Sequence, residues 1–235
     1  MAENTLSSCA GTETQTSFDV FSPTEYTTML LGFLQENVDR VADRTVCEIG
    51  TGSGVVAMQA ALLGARSVTV SDVERDALDA VSASFSRLPQ GPADFSCLLG
   101  PLWQPYGTRR FDLILANLPH FPTPSLTLPG RLPTWAMGGA DGRKLLDPFL
   151  EGLSEHLAPG GLAVCTHNRF VGIEQTRAYL RARGLSLQTC RETIVHLSPL
   201  KVSALTHGAS GYGEDVFTLG EHVFGRVCLA VASWA

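Results

Sequence analysis

Two short segments of the sequence contain residue types that could do chemistry together. One is a glycine-rich turn and the other, about 60 residues further along, is an Asn-x-Pro-His tetrapeptide: Glu48-Ile49-Gly50-Thr51-Gly52-Ser53-Gly54 and Asn117-Leu118-Pro119-His120. Alternating glycines bring backbone N–H groups close to a ligand where side chains would clash. The tetrapeptide offers a side-chain oxygen and a backbone oxygen that can orient an N–H group. Together the segments predict a nucleotide-like cofactor beside a reacting nitrogen atom.

Two carboxylates accompany the glycine turn. Asp72 ends the next apolar run, about 20 residues after the glycines, where it can accept hydrogen bonds from both ribose hydroxyls. A dinucleotide-binding domain has a related turn and a similar acidic residue, so an oxidoreductase is the competing interpretation. Glu48 lies two residues before Gly50, where it would repel a pyrophosphate but could hold an amino group. Asp72 fits both interpretations, whereas Glu48 favours a cofactor without a pyrophosphate.

The tetrapeptide has a mechanical interpretation of its own. The lone pair of a planar NH2 group is delocalised into the adjoining π-system. A site that methylates this nitrogen must therefore orient it while the conjugation is lost in the transition state. The Asn117 side-chain oxygen and the Leu118 carbonyl can each accept one N–H bond, and Pro119 stiffens the turn. The His120 ring can stack on the planar group, accept the released proton, or pair with a carboxylate when charged. We expect these four residues to form the catalytic group.

Both segments resemble motifs of a known enzyme family. Residues 46–55 are similar to motif I of class I S-adenosylmethionine-dependent methyltransferases, and the tetrapeptide resembles the Asn-Pro-Pro-Tyr motif of members that methylate amide or aromatic amino nitrogens. The Gly-Gly-x-Asp-Gly segment at 138–142 and the stretch 21–25 resemble release-factor glutamine methyltransferases. The resemblance covers residues 18–170 and lacks the N-terminal helical domain with which bacterial members bind the release factor. It therefore does not predict that particular substrate.

The resemblance implies a set of site residues. S-adenosylmethionine is the implied cofactor, with Leu102 or Trp103 packed on its adenine. The residues expected to bind it are Glu48, Gly50, Thr51, Gly52, Gly54, Asp72, Val73, Leu102, Trp103 and Asn117. His167 ends the fifth predicted strand on the cofactor side, where ligands of open α/β sheets bind. The residues expected to contact the substrate are Phe21, Tyr26, His120 and His167.

Composition disfavours several function classes. The formal net charge is −6 and the 17 basic residues are scattered, which argues against a long nucleic acid as the substrate. The six cysteines show no CxxC spacing, so we expect no metal site. The sequence has no run of 18 apolar residues and no basic segment followed by an apolar one at the N-terminus. We expect a cytoplasmic protein without a membrane segment.

The scarcity of large apolar residues predicts a disordered tail over residues 1–17, and the pattern after it predicts a single domain over 18–235. A first helix is expected to begin near residue 24. The pattern that follows predicts strand 45–50, helix 54–64, strand 67–72, helix 75–87, strands 94–99 and 111–116, helix 144–157, strand 161–167, helix 172–184, and strands 187–198 and 221–233. Strands separated by helices indicate a doubly wound, mostly parallel α/β sheet of seven strands with an antiparallel C-terminal hairpin. Two long connections, 117–143 and 199–220, are expected to form substrate walls.

The main functional hypothesis is N-methylation of an amide, guanidine or heteroaromatic amine in a small molecule or short peptide. One alternative is a protein glutamine N-methyltransferase. Another is an RNA or DNA base methyltransferase, which requires a basic rim that five residues could supply: Arg109, Arg110, Arg131, Arg143 and Lys144. A third is a non-catalytic scaffold with the same fold. The oligomeric state is left open.

Overall fold

The computed structural model describes residues 23–89, 91–92, 94–123 and 137–235. The predicted tail over residues 1–17 lies outside this range. Phe21, one of the expected substrate contacts, lies outside it as well, and so does Arg131.

The described strands form one mixed sheet with the order β3-β2-β1-β4-β5-β8-β6, and β7 pairs with β8. Their bounds are β1 Thr45–Ile49, β2 Ser67–Asp72, β3 Asp94–Leu99, β4 Phe111–Ala116, β5 Leu157–Asn168, β6 Leu185–Leu197, β7 Val216–Leu219 and β8 His222–Trp234. Strands β1 to β5 pair in parallel, whereas β8 pairs antiparallel with β5, β6 and β7. The predicted α/β sheet, mostly parallel with an antiparallel C-terminal pair, is confirmed.

The C-terminal strands form the expected antiparallel pair at the sheet edge. Strand β8 lies between β5 and β6, so β6 is the outermost strand. The segment 199–220, which we expected to be a long loop, contains a short helix and the strand β7. Gly220, with φ +61°, allows the tight turn that pairs Leu219 with His222. A strand of four residues is too short for its periodicity to show in the sequence.

Helices cover both faces of the sheet. Their bounds in the described chain are α1 Glu25–Glu36, α2 Val55–Leu62, α3 Arg75–Phe85, α4 Leu146–His156, α5 Ile173–Arg181 and α6 Pro199–Ala204. Consecutive side chains on a strand point to opposite faces. At the end of β5, His167 hydrogen-bonds Thr176 of α5, whereas Asn168 hydrogen-bonds Tyr26 of α1. Helices α1 and α5 therefore lie on opposite faces.

The central strands place the predicted site at one edge of the sheet. Strands β1 and β4 have fully buried apolar side chains on both faces of the sheet, for example Val46 on one face and Ile114 on the other, as expected where helices cover both sides of parallel strands. Because β1, β4 and β5 run in parallel, their carboxyl ends meet at the same edge, where ligands of open α/β sheets bind.

No helix of the described chain is long and apolar enough to span a bilayer.

Candidate active site

The glycine turn connects β1 to α2 through left-handed backbone. Gly50, Gly52 and Gly54 have φ values of 70°, 51° and 73°, a region that residues with a side chain rarely adopt. A Cβ atom on Gly54 would also lie 2.6 Å from a methyl group of Val81 in α3. Gly54 therefore packs the turn against α3, while Gly50 and Gly52 line an adjacent cavity.

Asp72 ties the glycine turn to the segment before α3. Its Oδ2 accepts a hydrogen bond from the Gly52 backbone N–H at 2.9 Å, and its Oδ1 accepts one from the Glu74 N–H at 3.0 Å. The same residue lines the cavity. Since a carboxylate oxygen can accept more than one hydrogen bond, Asp72 can hold the turn and still accept a bond from a ribose hydroxyl.

Glu48 is a buried carboxyl group at the cavity wall, with only 3% of its surface exposed. Its Oε2 accepts hydrogen bonds from the Thr51 hydroxyl at 2.8 Å and from the Ala57 N–H at 3.0 Å. Burial raises the pKa of Glu48 to about 8 despite these bonds. A cation in the cavity would favour the ionised form of this carboxyl group, so the site is suited to a positively charged ligand.

One cavity joins the glycine turn to the tetrapeptide. The predicted residues that line it are Glu48, Gly50, Thr51, Gly52, Asp72, Val73, Leu102, Asn117, Leu118 and Pro119. The Leu118 Cδ2 atom lies 3.1 Å from the position that a Gly50 Cβ would take, so the two motifs are in contact. Nine further lining residues were absent from the predicted set: Thr27, Ile49, Ser53, Val55, Val56, Ser71, Glu74, Gly100 and Leu145.

The loop after β3 separates two residues that were expected to act together. Leu102 lines the cavity with φ +44°, a left-handed conformation that is strained for a residue with a side chain and that clusters at functional sites. The structure places Trp103 elsewhere. Its Nε1 donates to the Phe149 carbonyl at 2.9 Å, and its ring stacks on His156 with centroids 4.4 Å apart. Trp103 therefore packs against α4 instead of contacting the cavity.

The tetrapeptide is held by hydrogen bonds at both ends. The Thr166 hydroxyl donates to the Asn117 Oδ1 at 2.8 Å, and the Asn168 Nδ2 donates to the His120 carbonyl at 3.2 Å. Between them, the His120 Nδ1 contacts the Leu118 carbonyl at 2.5 Å and must carry the proton, because a carbonyl only accepts. The Asn117 Oδ1 and the Leu118 oxygen each retain one lone pair, and both residues line the cavity.

His120 is buried beside the cavity and is not part of its lining. Burial lowers the pKa of His120 to about 4, so the ring is neutral near pH 7. Its edge meets the Tyr26 ring with centroids 5.7 Å apart. The buried Nε2 atom has no hydrogen-bond partner among the described residues. From its residue type, His120 could have formed an ion pair with a substrate carboxylate. A neutral, buried ring does not form that ion pair.

The other expected substrate contacts are tied to groups of the protein. The Tyr26 hydroxyl donates to the Asn168 Oδ1 at 2.6 Å. His167 is fully buried and lies between the Asn168 carbonyl and the Thr176 hydroxyl, at 2.8 and 2.9 Å. Burial lowers the pKa of His167 to about 3, which keeps it neutral. Neither Tyr26 nor His167 lines the cavity.

The glycine segment 138–142 packs directly on the tetrapeptide backbone. A Cβ atom on Gly138 would lie 2.7 Å from the His120 Cα, and one on Gly142 would lie 2.8 Å from the His120 oxygen. The Gly138 N–H also donates to the Phe121 carbonyl at 2.8 Å. Glycine is therefore required at both positions for this close approach.

Two of the arginines that could have formed a basic rim are engaged elsewhere. Arg143 is 3% exposed, pairs with Asp147 at 2.6 Å and donates to the Val171 carbonyl at 2.8 Å. Arg110 donates to the Leu157 carbonyl at 2.8 Å. Burial of Arg143 removes one cation from the surface that a nucleic-acid substrate would need, whereas Arg110 stays exposed.

Thr166 and Asn168 are the functional candidates that sequence reasoning missed. A signal was present, because the apolar strand β5 ends in the three polar residues Thr166, His167 and Asn168. Alternate residues of a strand share a face, so the side chains of Thr166 and Asn168 can both point toward the end of a neighbouring strand. Which neighbour they reach depends on the pairing of β5 with β4, which places Cys165 opposite Ala116.

Comparisons with known proteins find methyltransferases among the relatives of this chain. The family model described as ribosomal protein L11 methyltransferase (PrmA) matches residues 23–119. The methyltransferase HEMK2 of Mus musculus is 31% identical over 183 residues, which are 74% of this chain and 84% of the mouse protein. The release factor glutamine methyltransferase of Xylella fastidiosa is 30% identical over 156 residues, which are 64% of this chain and 56% of that protein. This chain therefore spans just over half the length of the Xylella protein.

A solved structure with the same fold is the E. cuniculi Mtq2-Trm112 complex, responsible for the methylation of the eRF1 translation termination factor. It superposes with a TM-score of 0.59 at 16% identity, over 93% of this chain and 100% of that chain. At this identity the likeness shows the fold alone.

Proposed function

The chain belongs to the class I S-adenosylmethionine-dependent methyltransferases, and we propose that it methylates the side-chain amide nitrogen of a glutamine in a protein. The methyl donor is S-adenosylmethionine, and the family resemblance found in the sequence is confirmed. The Xylella relative, a release factor glutamine methyltransferase, favours a protein glutamine over the small-molecule acceptor that was the main hypothesis from the sequence. The observation that carries the proposal is the cavity in which Asn117 and Leu118 adjoin the glycine turn.

The cofactor half of the cavity fits this donor. Gly50 and Gly52 leave space that side chains would fill, Asp72 offers acceptors for ribose hydroxyls, and Glu48 offers a carboxyl group for the ammonium group. When bound, S-adenosylmethionine supplies an electrophilic methyl group, whose bond to sulfur breaks as its bond to the acceptor nitrogen forms and the sulfonium leaves as a thioether. The buried Glu48 favours a cationic donor.

The acceptor half fits a primary amide. Such an amide has two N–H groups, and the Asn117 Oδ1 and Leu118 oxygen each have one lone pair left to accept one of them. Two such bonds fix the plane of the nitrogen and direct its lone pair away from the two oxygens. The nitrogen loses one proton after transfer. The low pKa of His120 makes its ring a weak base for accepting that proton. We therefore assign that proton to solvent water.

The partner part of the proposal rests on the relatives. The Xylella protein acts on a release factor, and the E. cuniculi protein acts on a translation termination factor in a complex with Trm112. A translation release factor is accordingly the acceptor to test first, alone and together with a Trm112-like subunit.

The test combines the purified chain, methyl-labelled S-adenosylmethionine and the release factor of the source organism, with and without such a subunit. We expect label on one glutamine side chain, located by mass spectrometry, and loss of label when that glutamine is replaced by glutamate. Asn117→Ala serves as the low-activity enzyme control. Label that enters only small amides, amines or nucleic-acid bases would contradict the proposal and support the corresponding alternative.

A further inference from the structure

Strand β5 holds both ends of the tetrapeptide through two residues that do not line the cavity. Thr166 and Asn168 are alternate residues of the strand, so their side chains lie on the same face. Both are 2% exposed. The Thr166 hydroxyl donates to the Asn117 side chain and the Asn168 amide to the His120 carbonyl, at 2.8 and 3.2 Å. The spacing along one strand therefore matches the ends of the catalytic segment.

The bond from Thr166 bears on the atom that matters for transfer. The Asn117 carboxamide can rotate about its side-chain bonds unless a neighbour holds it, and rotation would move Oδ1 away from an acceptor N–H. A hydroxyl that donates to Oδ1 restricts this rotation and leaves one lone pair of the oxygen for the substrate. The oxygen is thus placed before the substrate binds, so little ordering is needed in the transition state.

Asn168 plays the corresponding part at the other end. Its Nδ2 donates to the His120 carbonyl, and its Oδ1 accepts from the Tyr26 hydroxyl at 2.6 Å. Because a carbonyl cannot donate, the orientation of the Asn168 amide is fixed. Both polar ends of this buried side chain are satisfied. Asn168 thereby connects the tetrapeptide backbone to helix α1.

From this geometry we propose that Thr166 and Asn168 are positioning residues for methyl transfer, acting through Asn117 and the His120 backbone. The proposal rests on the proposed function in one respect, namely that Asn117 orients the acceptor nitrogen. Neither residue adjoins the cofactor half of the cavity. Their loss should lower kcat and leave cofactor affinity unchanged.

The decisive variants are Thr166→Val, which keeps the shape but removes the hydroxyl, and Thr166→Ser, which keeps the hydroxyl. We expect Thr166→Val to lower kcat about tenfold to a hundredfold and Thr166→Ser to restore most of it. The dissociation constant for S-adenosylhomocysteine should be the same in all three proteins. In an Asn117→Ala background, Thr166→Val should have no further effect on kcat, because its partner is gone. Unchanged kcat in Thr166→Val, or an equal loss in both backgrounds, would overturn the proposal.

A second measurement does not depend on the acceptor. In nuclear magnetic resonance spectra of the ligand-free protein, the side-chain amide signals of Asn117 should shift in Thr166→Val and return toward their original positions in Thr166→Ser. If the wild type methylates no glutamine, the proposed function fails while these spectra still decide whether Thr166 holds Asn117. Asn117 signals that are unchanged in Thr166→Val would overturn the positioning role. Asn168→Asp extends the test, since a carboxylate cannot donate to the His120 carbonyl and kcat should again fall.

Discussion

The cofactor half and the acceptor half of the cavity are held in place by different parts of the chain. In the cofactor half, the hydrogen bonds of Glu48 and Asp72 to the glycine turn and to α2 connect residues 3 to 20 positions apart. In the acceptor half, the bonds from Thr166 and Asn168 connect residues 49 and 48 positions apart, and the bond from Tyr26 connects residues 142 positions apart. One half is built locally and the other by the pairing of distant elements.

This difference suggests that the two halves can be altered independently. Left-handed backbone and two nearby carboxylates hold the glycine turn. The tetrapeptide is held by hydrogen bonds from β5, a strand that pairs with β4 and not with β1. A common cofactor site can therefore be combined with different acceptor sites. Substitutions in one half should leave the function of the other intact, which makes the separation testable.

The largest effect is expected from Asn117→Ala. Removing the carboxamide deletes one of the two oxygens proposed to orient the acceptor nitrogen, so kcat should fall by about a hundredfold or more. The dissociation constant for S-adenosylhomocysteine, measured by calorimetry, should stay close to that of the wild type. A parallel loss of cofactor affinity would show that the two halves are not separable at this residue.

Asp72→Ala should produce the opposite pattern. The substitution removes the bond to the Gly52 N–H and the acceptors offered to ribose, so the dissociation constant should rise about tenfold to a hundredfold. At saturating cofactor, kcat should remain near the wild-type value. Asp72→Asn is the matched control, because it keeps one acceptor oxygen and should fall between the two proteins. A low kcat at saturation in Asp72→Ala would contradict the division of the site.

The same difference explains which features could be predicted from the sequence. The glycine turn, Glu48 and Asp72 form a local pattern whose geometry follows from a strand, a tight turn and a helix, and their placement around one cavity follows the prediction. The apolar runs also sufficed for the parallel strands. The short strand β7 and the position of β8 between β5 and β6 depend on pairing between distant parts of the chain. Local hydrophobic periodicity does not show which strands pair.

Single residues in the acceptor half were predicted less well for the same reason. The residue type of His120 and His167 suggested contact with a substrate, but packing decides whether an imidazole faces a cavity or is buried. Both are buried and neutral here. The Trp103 side chain likewise contacts Phe149 and His156 and does not line the cavity. Thr166 and Asn168 could be recognised only once the register of β5 was known.

The buried Glu48 should make cofactor affinity depend on pH. In the ligand-free protein its pKa is about 8, so it is mostly protonated at neutral pH. A positively charged ligand favours the ionised form, so binding releases a proton and the affinity for S-adenosylmethionine should increase as the pH rises toward 8, by at most about tenfold per pH unit. Calorimetry over this range should show the slope in the wild type and its absence in Glu48→Gln. An equal slope in both proteins would assign it to another group.

The smallest effect, and the sharpest test of the separation, is expected from Tyr26→Phe. The variant keeps the ring and loses the bond to Asn168, so kcat should fall about twofold to tenfold. Cofactor affinity should not change, and Tyr179→Phe on α5 is the control for loss of a hydroxyl elsewhere. The next residue, Thr27, lines the cofactor cavity, so α1 touches both halves. If Tyr26→Phe also weakens cofactor binding, α1 couples the halves, and the acceptor site would then sense whether the cofactor is present.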